Sequence, residues 1–174
     1  MWFFILAELT VFGILILAFA VAQAMQPAVF RAGRRLLDTS LGWTLTLSLL
    51  TAGLFAALAL ARTRQGRSGT ARLLGAALAA AGGYVVLKFG EYAHLARSGL
   101  GLERDTFFTL YWILTGFHFL HVLLGMVILG WMAWRSRQGC YGPAQHAGME
   151  SGTLYWHMVD LVWVVLFPLV YLLD

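Results

Sequence analysis

Residues 153–174 read TLYWHMVDLVWVVLFPLVYLLD. The run is apolar enough and long enough to cross a bilayer, which takes roughly 20 apolar residues in a helix. His157 and Asp160 interrupt it three positions apart, so they share one helical face. An acid at the centre of a hydrocarbon helix costs on the order of 2.5–3.5 kcal/mol on insertion scales, and such groups face protein or water. The segment therefore has a lipid side and a side that needs partners. Pro168 removes one backbone hydrogen bond and is expected to bend the last turns.

Working outward, four more apolar blocks precede it. The spans run over about 2–23, 40–61, 71–96, 106–134 and 153–173. Between them lie QPAVFRAGRRLLD, RTRQGRSGT, RSGLGLERD and RSRQGCYGPAQHAGME, each too short to fold alone. Of the 174 residues 60% are hydrophobic and 11% charged, far below the roughly 25% charge of soluble domains. The predicted fold is all-α: one integral membrane domain over residues 1–174, a bundle of five transmembrane helices. The apolar start MWFFILAELTVFG lacks a basic n-region, so it reads as a retained first span.

The net charge of +4 comes almost wholly from arginine, with Lys88 the sole lysine. The arginines flank spans, which suits lipid headgroups and offers no nucleic-acid motif. With five spans, the N-terminal side carries Arg62, Arg64, Arg67, Arg72, Arg135 and Arg137, and the other side Arg31, Arg34, Arg35, Arg97 and Arg104. Six against five leans to a cytoplasmic N-terminus and an external C-terminus. Cys140, the single cysteine, has no intrachain partner and reads as inert. Gly75, Ala79 and Gly83 form a small-residue stripe suited to close helix contact. Aromatics near span ends read as interfacial anchors: Trp2, Phe3 and Phe4; Phe107, Phe108, Tyr111 and Trp112; Tyr155 and Trp156; Tyr171.

The polar residues inside the spans are the candidates for chemistry. Glu8 is either a proton-exchanging or reactive carboxyl, or an acid hydrogen-bonded to a neighbouring helix. Lys88 and Glu91, three apart, can neutralise each other, with Tyr92 and His94 beside them. His118 and His121 share a face mid-span. Glu91 and His94 have the Glu-x-x-His spacing of carboxylate-bridged di-iron bundles, but that site needs the motif on two helices. The histidines are also candidate haem ligands. The alternative is a network of interhelical hydrogen bonds, each worth roughly 0.6–2 kcal/mol. Lys88, Glu91, Tyr92, His118, His121, His157 and Asp160 would then form one intramembrane polar seam. No nucleophile with an adjacent base, no phosphate-cradling glycine loop and no cysteine metal cluster is present. These residues leave open a structural subunit, a haem-binding electron carrier and a small proton-coupled transporter.

Five stretches in order resemble subunit III of the haem-copper oxidases. FILAELTVFGILILAFA, with Glu8, looks like that family's first core helix and its carbodiimide-reactive glutamate. LLDTSLGWTLTLSL resembles the start of the next helix, and KFGEYAHLARSGL its glutamate–tyrosine motif, on Glu91 and Tyr92. TFFTLYWILTGFHFLHVLLGMVIL carries the threonine–glycine–phenylalanine–histidine motif through His118 and on to His121. GTLYWHMVDLVWVVLFPLVYLL resembles the terminal tryptophan–histidine–x–valine–aspartate helix, placing Trp156, His157, Asp160 and Trp163. Full-length oxidase subunit III has seven spans, so two leading ones and their lipid cleft lack a counterpart here. The last two motifs look closer to the five-span, subunit-III-like accessory protein of bacterial nitric oxide reductase. The resemblance implies a non-catalytic accessory subunit with no catalytic residue, metal or cofactor of its own, and phospholipid as a candidate ligand. Its partners would be a catalytic subunit holding haem and metal (copper or non-haem iron), an electron-donating subunit and membrane lipid. Glu8 becomes the functional carboxyl and the histidines scaffold. Asp160, deep in an apolar run, is expected to matter more to stability than Glu91.

Overall fold

The computed structural model describes residues 2–173, without the Trp2 side chain. Among these residues five helices are long and apolar enough to cross a membrane. They are α1 (Trp2–Met25), α3 (Thr39–Arg64), α4 (Thr70–Arg97), α5 (Thr106–Arg137) and α6 (Ala147–Phe167), the last continued by a π-helical turn, Pro168–Leu172. A short helix, α2 (Pro27–Arg34), lies between the first two spans.

Local chemistry sets the ends. Asp38 caps α3 by accepting from Ser40 N at 2.9 Å and Leu41 N at 3.3 Å, and Asp105 caps α5 through Phe108 N at 2.9 Å. Helices α3, α4 and α5 each stop at a glycine with positive φ: Gly66, Gly99 and Gly139. In each case the next amide reaches back over the last turn, as Arg67 N to Arg62 O, Leu100 N to Leu95 O and Cys140 N to Arg135 O. A side chain at those three glycines would strain the left-handed backbone that closes the helix.

Two elements differ from the hydropathy reading. The stretch read as the first loop contains α2, with Pro27 in its first turn and Phe30, Gly33 and Arg34 buried. It is too short for a membrane window, but its buried face was visible at helical spacing. Phe30 meets Phe19 and Phe107 edge-on at 5.0 and 5.4 Å, and any β-carbon at Gly33 would fall on Phe107. Helix α6 begins at Ala147 rather than about 153, because Glu150 is met by His146 at 3.2 Å and by Arg64 of α3.

Helix α3 packs on α4, α4 on α5, α5 on α6, and α6 closes back on α3; α1 lies across α5 and α6. In the most apolar stretch of α6 61% of residues are buried, against 17% for α1, so α6 is the inner helix and α1 the outer. Helix α1 buries Ile5, Phe12 and Phe19, seven residues apart, which gives one narrow seam.

The aromatic anchors need correction. Phe107, Phe108, Tyr111, Tyr155, Trp156 and Tyr171 are all buried in the bundle, while Phe3, Trp43, Trp131 and Trp134 are exposed. Aromatic rings near span ends pack inward here because each finds a ring partner, as Phe107 does with Phe19 and Tyr111. The small-residue stripe also lies elsewhere than expected. A β-carbon at Gly75 would meet open space, and Ala79 and Gly83 are exposed. Close contact on α4 runs instead through Leu74, Ala77, Ala81 and Tyr84.

Pro168 acts at the end of α6. With no N–H to give and a ring that crowds the preceding turn, it coincides with the switch to π spacing, where Leu173 N donates to Pro168 O at 2.8 Å. Arg34 fastens the turn: its Nη2 donates to Leu169 O at 2.9 Å and to Gln23 Oε1 at 2.7 Å, and its Nε to Val170 O at 3.3 Å. Gln23 donates in turn to Leu173 O. One buried arginine thus ties α1, α2 and the chain's last turn together.

Candidate functional site: three buried polar groups

The first group surrounds Lys88 of α4, which has no solvent exposure. An ammonium has three N–H donors. Lys88 Nζ spends them on Glu91 Oε2 at 2.7 Å, Tyr171 OH at 3.0 Å and Tyr111 OH at 3.1 Å. Tyr171 OH donates onward to Glu91 Oε1 at 2.8 Å. The rings of Tyr92, Tyr111, Trp163 and Tyr171 stand 4.9–5.6 Å from the ammonium, close enough for cation–π attraction. Tyr92 forms a wall of this cell and turns its own hydroxyl to Thr115 Oγ1 at 3.0 Å. The cell sets one ammonium against one carboxylate and is built from α4, α5, α6 and the terminal turn.

The second group joins α1, α4, α5 and α6. His118 Nε2 lies 3.1 Å from the Val159 carbonyl, which can only accept, so that nitrogen carries the proton. Nδ1 then accepts from Tyr84 OH at 3.3 Å, and the ring is fixed as one neutral tautomer. By the same logic His121 Nδ1 donates to Phe117 O at 2.8 Å. Its Nε2 meets Glu8 Oε2 at 2.9 Å, sharing one proton between an imidazole and a carboxyl. Glu8 is a fifth exposed and lies on the open side of the bundle. Phe12 stands edge-on to His121 at 5.1 Å and screens the pair from one side.

The third group is the one on the terminal helix. Asp160 Oδ2 is 3.8 Å from His157 Nδ1 and lies against bare backbone of α3, where any β-carbon at Gly53 would fall on it. Asp160 Oδ1, Trp156 Nε1 and Thr153 Oγ1 are buried without a partner in hydrogen-bonding geometry among the described residues. The His157 side chain is 45% exposed on the outer surface.

The structure thus brings Lys88, Glu91 and Tyr92 together, and joins Glu8 to His121. It turns His118 inward, away from Glu8, and sets His157 and Asp160 apart from both other groups. His94 is exposed, whereas Glu91 is turned to Lys88 and Tyr171. Tyr84, Tyr111 and Tyr171 belong to these groups and were not singled out from the sequence as site residues; phenols on the buried side of apolar runs were their only signal. Among the described residues no cluster of three or more His, Cys, Asp or Glu is placed to hold a metal. Haem ligation fits poorly, since both ring nitrogens of His118 and of His121 are engaged and His157 faces another side.

The model of the family described as cytochrome c oxidase subunit III matches residues 1–174, the whole chain. The chain belongs to that family. Among curated relatives, cytochrome c oxidase subunit 3 of Synechocystis sp. is 50% identical over 84 residues, 48% of this chain and 35% of that protein. The protein of the same name from Thermostichus vulcanus is 39% identical over 97 residues, 55% and 48% of the two chains. Cytochrome bo(3) ubiquinol oxidase subunit 3 of Pseudomonas putida is 32% identical over 91 residues, 52% and 44%. The chain therefore spans at most about half the length of these curated relatives.

Proposed function

We propose that this chain is a non-catalytic accessory subunit of a haem-copper oxidase complex in a bacterial membrane. The observation that carries the reading is the subunit III family match over all 174 residues. The interior supports it: Lys88, Glu91 and His118 are committed to internal hydrogen bonds, the mark of a scaffold. On this reading haem and metal reside in the catalytic partner, electrons reach it through a further subunit, and this chain contributes packing. The membrane is the inner one, with the N-terminus cytoplasmic. Glu8, partly exposed and held by His121, is the carboxyl open to lipid-phase reagents and to proton exchange, and phospholipid is the ligand for the flank of α1.

The test is purification of the tagged chain from its native membrane in mild detergent. Haem absorbance and a larger haem-bearing subunit are expected to co-elute in constant ratio with it. Recovery of the chain alone from membranes with active terminal oxidase would overturn the proposal. The haem types and copper content of the partner decide between an oxygen reductase and a nitric oxide reductase. A hydrophobic carbodiimide is expected to label Glu8 before any other acid in the spans.

A further inference from the structure

Of the members of the Lys88 cell, Glu91 alone lines a pocket, one of about 400 Å³ between the start of α3 and the end of α4. Leucines wall it, and Asp38, Glu91 and His94 are its ionisable lining. Glu91 is 7% exposed and Lys88 not at all, so the pocket reaches the carboxylate and stops there. Gly90 makes the opening, since a β-carbon at that position would meet open space. Depth decides what fills the space. Helix α4 has 28 residues, roughly 42 Å at the usual rise. A hydrocarbon core of roughly 30 Å leaves about 6 Å of a centred helix outside at each end. Glu91 stands about 9 Å from the last residue of α4, Arg97, and so only about 3 Å inside the hydrocarbon edge. His94 and the capping Asp38 lie at headgroup level. Buried water needs roughly two to four polar partners, and these three side chains supply them.

We propose that this pocket is a water-filled inlet, and that Glu91 takes up and releases protons through it from the membrane surface opposite the N-terminus. The carboxylate accepts from Lys88 on Oε2 and from Tyr171 on both oxygens. A carboxylate has about four acceptor sites, so one is left for water from the pocket. A proton handed over by that water leaves the carboxyl neutral and the cell with the ammonium charge alone. Four aromatic faces at 4.9–5.6 Å stabilise that charge. A protonated carboxyl keeps acceptor capacity, so the tie to Lys88 weakens without parting. Facing the carboxyl are Lys88 and Tyr92 of its own helix, Tyr111 of α5 and Tyr171 of the terminal turn. Across the pocket stand Asp38 and His94. Inward the path ends, because Lys88, Tyr84, Tyr111 and Trp163 are sealed in the core. The site opens to one surface only.

The test uses the full chain in native-lipid vesicles, with Cys140→Ser as background. Gly90→Cys is expected to react with a charged, membrane-impermeant methanethiosulfonate added on the C-terminal side. Val127→Cys, 68% exposed on α5, is expected to stay unreactive. Infrared difference spectra of protein carrying isotope-labelled glutamate read the proton itself. A Glu91 carboxyl band is expected to grow as pH falls, to shift promptly in heavy water and to vanish in Glu91→Gln. Gly90→Leu, which plugs the opening and replaces no member of the cell, is expected to slow that shift several-fold at an unchanged thermal midpoint. Gly130→Leu, whose β-carbon also meets open space, should leave it fast. The Gly90→Leu comparison identifies the band even where Glu91→Gln is too unstable to measure. An unreactive Gly90→Cys, as acyl chains in the pocket would give, overturns the proposal. So does a carboxyl band that is absent or indifferent to Gly90→Leu, and so does equal labelling of Gly90→Cys from both sides.

Discussion

Lys88 is the charge most dependent on its neighbours, because all three of its donors are used and it has no solvent exposure of its own. Breaking a buried pair by removing one partner costs about 3–5 kcal/mol, since the other charge is left alone. Lys88→Met is therefore expected to lower the thermal midpoint in detergent strongly, and Lys88→Met with Glu91→Met to recover much of the loss. Thermal unfolding followed by circular dichroism checks both. The geometry also reverses one sequence-based ranking. Glu91 accepts from Lys88 and Tyr171 in the interior, whereas Asp160 has few internal bonds to lose. Glu91→Gln should thus destabilise the isolated chain more than Asp160→Leu; the opposite order in the same assay would refute it. The i, i+3 spacing of Lys88 and Glu91 made their pairing legible. What the spacing could not reveal was that Tyr111 and Tyr171, one of them 80 residues from Glu91, complete the cell.

Among the elements, the short helix and the terminal turn hold each other. Arg34→Gln removes the donor to Leu169 and Val170, whose carbonyls sit where Pro168 has already disturbed the helix ladder. Amide exchange over residues 169–173 is expected to accelerate by roughly tenfold or more in nanodiscs, corresponding to lost bonds of about 1.5–3 kcal/mol to a charged group. Unchanged exchange there would show that the turn holds itself. Helix α1 depends on fewer contacts, and the polar tie of its first turns is Glu8 to His121. Glu8→Leu should loosen α1 by about 1 kcal/mol, the scale of interhelical hydrogen bonds in membranes, and Glu8→Gln by less. Protease cleavage in the segment after α1, faster for the leucine variant, is the readout. Hydropathy was enough to find five spans because each is a long apolar run. It was blind to α2, whose eight residues bury only Phe30, Gly33 and Arg34, and to the open space beside Gly75.

For the whole molecule, α6 closes a ring of α3, α4 and α5 and also carries α1. Trp163 is the hub of that closure: its indole donates to Thr46 of α3 at 3.0 Å, packs edge-on to Tyr84 of α4 at 5.4 Å and lies 5.0 Å from His118 of α5. The number of helices was readable from the sequence, but their order around the bundle was not. Apolar residues face both neighbours and lipid, so they do not say which neighbour they meet. The placing of His157 and Asp160 depends on the same information. Their face could be named from spacing, but its direction, out between α3 and α6, follows only from the packing of the other helices.

That arrangement has a consequence for biosynthesis. The keystone helix leaves the ribosome after the four spans it joins. While α6 is still being made, His118 waits for the Val159 carbonyl and Lys88 for the Tyr171 hydroxyl, inside a half-ring already in the bilayer. A chain stopped after Arg137 should insert and then be degraded several-fold faster than the full chain in pulse-chase labelling, whatever the quality of its individual spans. Equal half-lives would mean the half-ring settles by itself. Survival of the nascent chain is thus expected to track the arrival of α6.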